Sequence, residues 1–308
     1  MVFLSVLIAF LLLVLVSSFV IYRKVFYTPL PRQNDISIIY KGEQHKRYGE
    51  ETLSLTRKLA DRECEFVYLK SRDALKLEGR YYHSSDGAPV IICCHGYRGM
   101  AVRDFCAPAD ALFSMNLNVL LISQRGCMGS EGHTVTFGIR EREDLMEWVK
   151  YIKGRFGDNT PLYLMGVSMG AYTVLSVSSS LKGTNLKGII ADCPYSSSWG
   201  IINKVIRSAH IPPVLLDWLV EITTLLWGGF RLQKRGAIEE VSKSNIPILI
   251  IHGSSDKLVP SSMSEDIRLS NPEKVTLSLY SGADHAMSAF VDGKRYMKEV
   301  ESFILRTE

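Results

Sequence analysis

The sequence predicts an α/β fold in which a mostly parallel sheet is covered by helices on both faces. Short apolar runs alternate along the chain with segments of helical periodicity, which is typical of parallel sheets with crossover helices. Several runs are apolar at almost every position, as expected for strands buried on both faces. The length of 308 residues suits one large α/β domain with an appendage.

The strand pattern begins after residue 63. "CEFVYLKS" (64–71) and "KLEGRYYH" (76–83) alternate between polar and apolar residues and predict an antiparallel strand pair. Six further strands are predicted from the apolar runs "APVIICCHG", "NVLLIS", "PLYLMG", "LKGIIADC", "IPILIIHG" and "VTLSLYSG". Helices are predicted through "REREDLMEWVKYIKGRF" and "GAYTVLSVSSSL", near 261–270, and from about residue 292.

One segment interrupts the alternation of strands and helices. Residues 199–243 separate two consecutive strands by far more than an ordinary connection and are rich in Trp, Leu and Ile. They predict a helical insertion within a domain that spans 61–308. Because the preceding strand should end on the same side as the candidate site described below, we expect this insertion to cover that site as a lid.

The chain begins with an apolar segment. Residues 2–22 contain no charged side chain and are long enough to cross a hydrocarbon core as a helix. They predict a membrane anchor over 1–30, followed by a polar juxtamembrane connector over 31–60 that separates the anchor from the body. A cleaved signal peptide is the competing interpretation, but the segment has no positive charge before it and is longer than an ordinary signal-peptide core.

Charge and cysteine usage restrict location and partners. Arg23, Lys24 and Arg32 follow the apolar segment and no Lys or Arg precedes it, which favours a catalytic domain on the cytoplasmic side. The six cysteines show neither disulfide-scaffold nor zinc spacing, so we expect free thiols and no metal site. The formal net charge of +4 is spread along the chain and gives no support for nucleic-acid binding.

A candidate nucleophile lies in the motif Gly166, Val167, Ser168, Met169, Gly170. A Gly-x-Ser-x-Gly pattern is weak by itself, but here it lies where an apolar strand meets a helix, as a nucleophile elbow requires. Glycines on both sides allow the backbone to approach closely around a strained turn. Ser168 is therefore the predicted nucleophile, and it needs a base and an acid that orients the base.

The predicted base and acid follow the last two strands. His285 lies in the loop after "VTLSLYSG", and Asp256 lies in the turn after "IPILIIHG". The chain order Ser168, Asp256, His285 is then nucleophile, acid, base, the order that accompanies a nucleophile elbow between a strand and a helix. Asp192 also ends a strand and is the rival acid, whereas Asp284 is adjacent to His285 in the chain and poorly placed to bond its imidazole.

Two backbone N–H groups are predicted to stabilise an oxyanion. The N–H of Met169 follows the nucleophile, and the N–H of Tyr97 lies in the loop "HGYRGM" after the third predicted strand. Gly96 and Gly99 give this loop the freedom to turn the N–H of Tyr97 toward the site. His95 at its base is interpreted as a packing residue.

With these residues in place, the chain resembles the α/β-hydrolase superfamily over about residues 60–306. It is most similar to a membrane-anchored bacterial branch of serine aminopeptidase-like and dienelactone-hydrolase-like proteins. The resemblance is carried by "CCHGYRGM", "SQRGCMGSEG", "GVSMGAYTVL", "IPILIIHGSSDKLVP" and "GADHA". It implies a Ser-Asp-His triad with a backbone oxyanion hole and neither metal nor organic cofactor. One departure is Ser123, where relatives usually have Asp, and it predicts altered loop packing.

The leading functional hypothesis is a membrane-tethered serine hydrolase that cleaves carboxylic esters or thioesters. Trp199, Trp218 and Trp227 make the insertion suitable for an acyl chain, although each could simply pack against the body. A peptidase or amidase of the serine aminopeptidase type is an alternative. Two others are a non-catalytic hydrolase-fold binding protein and a membrane-interaction protein whose insertion helices lie on the bilayer.

Overall fold

One eight-stranded sheet forms the centre of the molecule in the computed structural model, in the order β1-β2-β4-β3-β5-β6-β7-β8. The structure describes residues 1–29, 36, 42–181, 183–208, 213–233 and 236–307. The strands are β1 (Glu65–Lys70), β2 (Lys76–Tyr82), β3 (Val90–Cys94), β4 (Asn118–Ile122), β5 (Leu162–Val167), β6 (Leu186–Asp192), β7 (Ile248–Gly253) and β8 (Val275–Tyr280).

Helices cover both faces of this sheet. They are α1 (Val2–Ile21), α2 (Glu43–Arg47), α3 (Gly49–Asp61), α4 (Ala101–Asp104), α5 (Ala109–Ser114), α6 (Glu141–Phe156), α7 (Met169–Leu175), α8 (Ser198–Ser208), α9 (Pro213–Thr223), α10 (Gly236–Ser242), α11 (Ser262–Ser270), α12 (Ser288–Val291) and α13 (Gly293–Thr307). Two short π-helical turns, Tyr22–Phe26 and Thr224–Gly228, follow α1 and α9.

The predicted fold class is confirmed. β1 and β2 pair antiparallel, with Glu65 opposite Tyr81, and β2 is antiparallel to β4. All remaining strand pairs are parallel. Helix α7 ends at Leu175, earlier than predicted, and turns follow it.

Alternation along the central strands builds two cores, one on each face. In β5, Leu164 packs on the face that also holds Trp148 of α6, whereas Tyr163 packs on the opposite face with Phe303 of α13. Successive side chains of a strand point to opposite faces, so a strand covered on both sides must be apolar throughout. This explains the uninterrupted apolar runs of the sequence.

All six cysteines are free thiols, and five of them are buried. The expectation of unpaired cysteines therefore agrees with the structure. Burial raises the pKa of the Cys94 and Cys127 thiols, which lie inside the body. Thiols in such surroundings remain protonated at neutral pH and are poor nucleophiles.

The segment that follows α1 is part of the body. Phe26 is fully buried, with its ring 5.6 Å from Phe137 and 5.6 Å from Phe230. Its carbonyl accepts a hydrogen bond from the N–H of Val135 at 2.8 Å, and Thr28 donates to the carbonyl of His133. Residues 22–28, which were predicted to be part of the membrane anchor over 1–30, therefore pack against the body.

Removing this segment should destabilise the protein. A full-length Phe26→Ala variant is expected to lose about 3–5 kcal/mol of unfolding free energy, because it leaves a cavity in the core. A chain that begins at Arg32 lacks Phe26 and should be destabilised at least as much. The midpoint of urea unfolding in detergent measures the effect, with the exposed Phe10→Ala as control. Equal midpoints for the wild type and the Phe26 variant would contradict this account.

The predicted connector is described only in part, since residues 31–35 and 37–41 lie outside the described residues. The described remainder is mostly helical. Leu59 of α3 is buried, and its carbonyl accepts a hydrogen bond from the hydroxyl of Tyr82 in β2. Gln44 of α2 accepts a hydrogen bond from the N–H of Asp284 at 3.0 Å. The later part of this segment thus packs against the body.

The predicted insertion is helical. It comprises α8, α9, the π-helical turn Thr224–Gly228 and α10, all between β6 and β7. Residues 209–212 and 234–235 within it lie outside the described residues. The insertion follows the carboxyl end of β6, which is the sheet edge where β5 also ends.

Candidate active site

The sharp turn between β5 and α7 places Ser168 at the carboxyl edge of the sheet. Its backbone has φ 55° and ψ −113°, a conformation that non-glycine residues adopt rarely and at an energetic cost. The N–H of Ser168 donates to the carbonyl of Asp192 at 2.8 Å, which holds the turn against β6. The hydroxyl is thereby presented above the end of the strand.

The two glycines of the motif are required by close backbone contacts. A Cβ atom at position 166 would lie 2.2 Å from the carbonyl oxygen of Gly170. A Cβ atom at position 170 would lie 1.9 Å from the carbonyl oxygen of Cys94. Both distances are far below van der Waals contact, so only glycine allows α7 to pack this closely on β3 and β5.

The structure brings Ser168, Asp256 and His285 together from three separate loops. Nε2 of His285 lies 2.9 Å from Oγ of Ser168, and Nδ1 of His285 lies 2.7 Å from Oδ2 of Asp256. The His285 side chain is 15% exposed, whereas the Asp256 side chain is fully buried. The three residues therefore have the arrangement that a nucleophile, a base and an orienting acid require, with each within hydrogen-bonding distance of the next.

The partners of Asp256 determine the tautomer of His285. Oδ1 of Asp256 accepts hydrogen bonds from the N–H groups of Leu258 and Val259 at 2.9 and 2.8 Å. Burial raises the pKa of Asp256, but hydrogen bonds from His252 and His285 outweigh burial and hold the pKa well below its usual range. An ionised carboxylate only accepts hydrogen bonds. Nδ1 of His285 must therefore carry a proton, which leaves Nε2 free to accept one from Ser168.

Sequence reasoning missed His252, which is fully buried four residues before Asp256. Its Nε2 lies 3.2 Å from Oδ2 of Asp256 and 2.9 Å from the carbonyl oxygen of Val259, and its Nδ1 lies 2.6 Å from Oγ of Ser264. The Nε2–H thus donates, and Nδ1 accepts from the hydroxyl. His252 adds a second donor to the carboxylate oxygen that orients His285. A histidine at the end of an apolar strand, just before Asp256, is the sequence signal for it.

The two alternative acids, Asp192 and Asp284, have other partners. Oδ2 of Asp192 accepts a hydrogen bond from the hydroxyl of Tyr296 at 3.0 Å. Oδ1 of Asp284 accepts the backbone N–H of His285 at 2.9 Å. Neither carboxylate is hydrogen-bonded to the imidazole of His285 within the described part of the chain. The geometry thus agrees with the preference for Asp256.

Asp192 nevertheless makes a pH-dependent contribution to stability. Burial raises its pKa from 3.8 to about 6, although the hydrogen bond from Tyr296 lowers it. The folded state therefore binds a proton more tightly than the unfolded state, and stability falls as the pH rises between these two values.

Asp192→Asn should remove this penalty. The amide oxygen can still accept from Tyr296, so the variant should exceed the wild type by about 2–3 kcal/mol near pH 8 and match it near pH 4. Urea unfolding at both pH values measures the difference, and ester turnover should stay near that of the wild type. A variant less stable than the wild type near pH 8 would contradict the assignment.

The loop after β3 lies beside Ser168. The N–H of Gly96 donates to Oδ2 of Asp104 at 2.7 Å, and a Cβ atom at position 96 would lie 3.6 Å from Cβ of Ser168. Asp104, which sequence reasoning did not identify, therefore fixes the peptide group between His95 and Gly96, one residue before the N–H of Tyr97. Among the hydrogen bonds between described residues, none has the N–H of Tyr97 or of Met169 as its donor. Both groups remain the predicted oxyanion donors.

The side chain of Tyr97 faces the anchor. Its hydroxyl donates to the carbonyl of Val25 at 2.6 Å, and its ring stacks on Phe137 with centroids 5.1 Å apart. Burial raises the pKa of Tyr97 to about 12, so the hydroxyl stays protonated and remains a donor. The segment after α1 is thus bonded to the loop that carries the predicted oxyanion donor.

Buried polar groups hold the neighbouring loops in place. His95 is fully buried, its Nδ1–H donates to the carbonyl of Gly96, and its Nε2 accepts the N–H of Gln124. This agrees with the interpretation of His95 as a packing residue. Arg125 makes two-pronged ion pairs with Asp144 and Asp73. These pairs anchor the loop that carries the departure at Ser123.

One group of side chains has the composition of a partial metal site. Ligand atoms of Cys193, Asp256 and His285 lie within 4.8 Å of one another. Two of the three already share the hydrogen bond described above. A metal ion at this place would have to replace that bond, so the arrangement suits proton transfer better than metal binding.

Comparison with known proteins relates this geometry to a family. Residues 86–242 match a family model described as serine aminopeptidase, S33. The uncharacterized protein YqkD of Bacillus subtilis is 26% identical over 229 residues, which cover 74% of this chain and 75% of that protein. The Pyrococcus furiosus esterase Pf2001 superposes with a TM-score of 0.67 at 20% identity over 92% and 99% of the two chains. Est1E of Butyrivibrio proteoclasticus, solved with ferulic acid, gives 0.62 at 20% identity over 78% and 98%.

Proposed function

Because the chain belongs to the serine aminopeptidase S33 family of α/β-hydrolases, we propose that it is a membrane-tethered serine hydrolase that cleaves carboxylic esters. Ser168 is the proposed nucleophile, His285 the base and Asp256 the orienting acid. The observation that carries this proposal is the distance of 2.9 Å between Nε2 of His285 and Oγ of Ser168. No metal or organic cofactor is required by this chemistry.

In the proposed first step, Oγ of Ser168 attacks the acyl carbonyl while its proton moves to Nε2 of His285. Asp256 stabilises the resulting imidazolium through Nδ1. The carbonyl oxygen becomes an oxyanion, which the N–H groups of Met169 and Tyr97 receive. The alcohol then leaves with the proton from Nε2, and an acyl-enzyme remains.

In the second step, water replaces the alcohol. Nε2 of His285 accepts a proton from the water as its oxygen attacks the acyl-enzyme. The second tetrahedral intermediate collapses, Ser168 regains its proton, and the carboxylic acid departs. A thioester would follow the same sequence with a thiol as leaving group.

Esters are favoured over peptides by the surroundings of the site. The loop beside Ser168 carries Tyr97, which packs on Phe137 and, through it, on Phe26. These aromatic side chains make the surroundings of the loop apolar, which suits an acyl chain. The second candidate function is an aminopeptidase or amidase, which the description of the matched family favours, and such an enzyme would need an acidic group to bind the free amino terminus.

The proposed tether is α1. Within the helical span Val2–Phe26, an 18-residue window has a mean hydropathy of 3.0 and 6% of that window is buried, so the helix is long and apolar enough to cross a membrane. Nε1 of Trp227 donates to Oγ of Ser18 at 3.0 Å, and this bond supports an anchor that is retained instead of cleaved. The basic residues Arg23 and Lys24 favour a cytoplasmic body.

The proposal is tested by labelling and by a substrate screen. A fluorophosphonate probe should label the full-length protein in detergent at Ser168 and leave the Ser168→Ala variant unlabelled. p-Nitrophenyl esters should be cleaved faster than aminoacyl anilides. Each added methylene of the acyl chain should lower the activation free energy by up to about 0.8 kcal/mol, until the chain no longer finds apolar surface to bury it. Faster cleavage of the anilides would support the peptidase, and absence of labelling would support a non-catalytic protein.

A further inference from the structure

The second half of α1 packs against the insertion. Ser18 is fully buried, its carbonyl accepts a hydrogen bond from the hydroxyl of Thr223 at the end of α9, and its hydroxyl accepts one from Trp227. The rings of Phe19 and Trp227 are in edge contact, with centroids 4.9 Å apart. Residues 2–13 of α1, by contrast, are exposed throughout. The part of α1 that is exposed on every side is therefore shorter than the apolar segment.

This length matters because a bilayer sets a minimum span. A helix needs about 20 apolar residues, at about 1.5 Å each, to cross a hydrocarbon core of about 30 Å. The uninterrupted exposed run of α1, residues 2–13, covers only about 18 Å at that rise. The uncharged run ends at Tyr22, and Arg23 follows it. If α1 spans the membrane, Ser18 lies inside the apolar layer, about four residues or roughly 6 Å from its edge.

The groups bonded to Ser18 must then lie at the same depth. The outward surface of the insertion beside α1 is apolar, with Trp218 42% exposed, Leu225 40% and Leu226 57%. Tryptophan is enriched where hydrocarbon meets headgroups. The nearby charged residues Glu221 and Arg231 pair with each other at 3.6 Å. This surface has the composition of a membrane interface and continues the apolar surface of α1.

We propose that α9 and the turn Thr224–Gly228 enter the bilayer beside α1, and that the active site takes its acyl ester from the membrane. The substrate class is a lipid or another ester whose acyl chain is dissolved in the bilayer. This inference rests on the proposed hydrolase function and on a retained anchor. It adds the side of the molecule from which the substrate arrives.

A row of aromatic contacts connects the insertion to the loop beside the candidate site. Phe230, two residues after the π-helical turn, packs on Phe26, Phe26 packs on Phe137, and Phe137 stacks on Tyr97. Tyr97 carries one of the two N–H groups proposed to receive the oxyanion. These side chains pack against one another, so the insertion, the segment after α1 and the loop beside Ser168 form one packed unit. This packing places the candidate site next to the end of the protein that enters the bilayer.

The first experiment measures membrane entry without catalysis. The Ser168→Ala protein is reconstituted into vesicles of phosphatidylcholine whose acyl chains are brominated near the headgroups, and tryptophan fluorescence is recorded. Bromine should quench the emission, because Trp218 and Trp227 would lie in the bilayer, whereas Trp148 is enclosed in the core. Trp218→Phe should reduce this quenching, and Trp218→Phe combined with Trp227→Phe should remove the larger part of it. Absence of quenching, or quenching that Trp218→Phe leaves unchanged, would overturn the proposal.

The second experiment measures substrate delivery with two variants of the wild-type enzyme. Leu226→Asp should lower the rate on a long-chain p-nitrophenyl ester in vesicles by about tenfold and leave the rate on soluble p-nitrophenyl acetate unchanged. Leu269→Asp is the matched control, since Leu269 is 60% exposed near the end of α11, on the side where β8 begins. It should change neither rate.

The outcomes separate this inference from the proposed function. Equal effects of Leu226→Asp on the two substrates, or none on the vesicle substrate, would overturn delivery from the membrane while hydrolysis itself stands. If the wild type cleaved neither substrate, the proposed function would fail and delivery with it. The quenching result would then still decide whether the insertion enters the bilayer.

Discussion

Ser168→Ala is expected to lower ester turnover by a factor on the order of 10⁶, as loss of the nucleophile does in other triads. The variant keeps His285, Asp256 and both proposed oxyanion donors but has no atom to form the acyl-enzyme. Its fold should be intact, because alanine can occupy the same backbone conformation and the N–H bond to Asp192 is retained. Turnover of a short p-nitrophenyl ester and the circular dichroism spectrum measure the two effects.

A matched control is Ser176→Ala. Ser176 is buried and lies at the end of α7, where its hydroxyl donates to the carbonyl of Thr173 at 2.8 Å. It should fold and turn over ester like the wild type, since it lies eight residues beyond the nucleophile. Wild-type turnover in a folded Ser168→Ala protein would instead remove Ser168 from the mechanism.

The strands could be predicted from the sequence because their environment is uniform. Ile91, Ile92 and Cys93 of β3 are all fully buried, so each position of such a strand must be apolar and the run is visible without any partner. The edge pair β1 and β2 alternates, because one face is exposed. In both cases the burial of a residue depends on its own strand, which a local pattern can show.

The docking of the segment after α1 could not be predicted in this way. Phe26 lies four residues beyond the uncharged run that ends at Tyr22, inside the segment predicted to be the anchor. Its partners Phe137 and Phe230 are more than a hundred residues away in the chain. Hydropathy reports that a side chain avoids water, but it does not distinguish lipid from a protein core as the destination. The boundary between anchor and body therefore became visible only with the tertiary structure.

The candidate site also contains residues that the local sequence pattern shows and residues that only the tertiary structure shows. Ser168, Asp256 and His285 could be identified because each lies directly after a strand, where the sheet topology brings loops to one edge. His252 and Asp104 were not identified, although His252 lies at the end of an apolar strand, because the hydrogen bonds to their partners depend on loop conformation. Positions that follow from topology are thus readable from sequence, whereas the groups that orient them are not.

Asp256→Asn is expected to lower ester turnover by a factor on the order of 10⁴, through the tautomer of His285. The two N–H groups of Leu258 and Val259 both donate to Oδ1 of Asp256, so the amide oxygen of an asparagine will occupy that position. Its NH₂ group then faces Nδ1 of His285, which must become an acceptor. The proton of the imidazole moves to Nε2, and Nε2 can no longer accept one from Ser168.

Three comparisons make this prediction specific. Asp192→Asn should keep turnover near the wild-type level, because the carboxylate of Asp192 is bonded to Tyr296 and not to His285. The fluorophosphonate probe should label Asp256→Asn far more slowly than the wild type, since the probe also needs an activated serine. Turnover of Asp256→Asn should rise at alkaline pH, where the serine needs less help from a base. A larger loss in Asp192→Asn than in Asp256→Asn would transfer the role of the acid to Asp192.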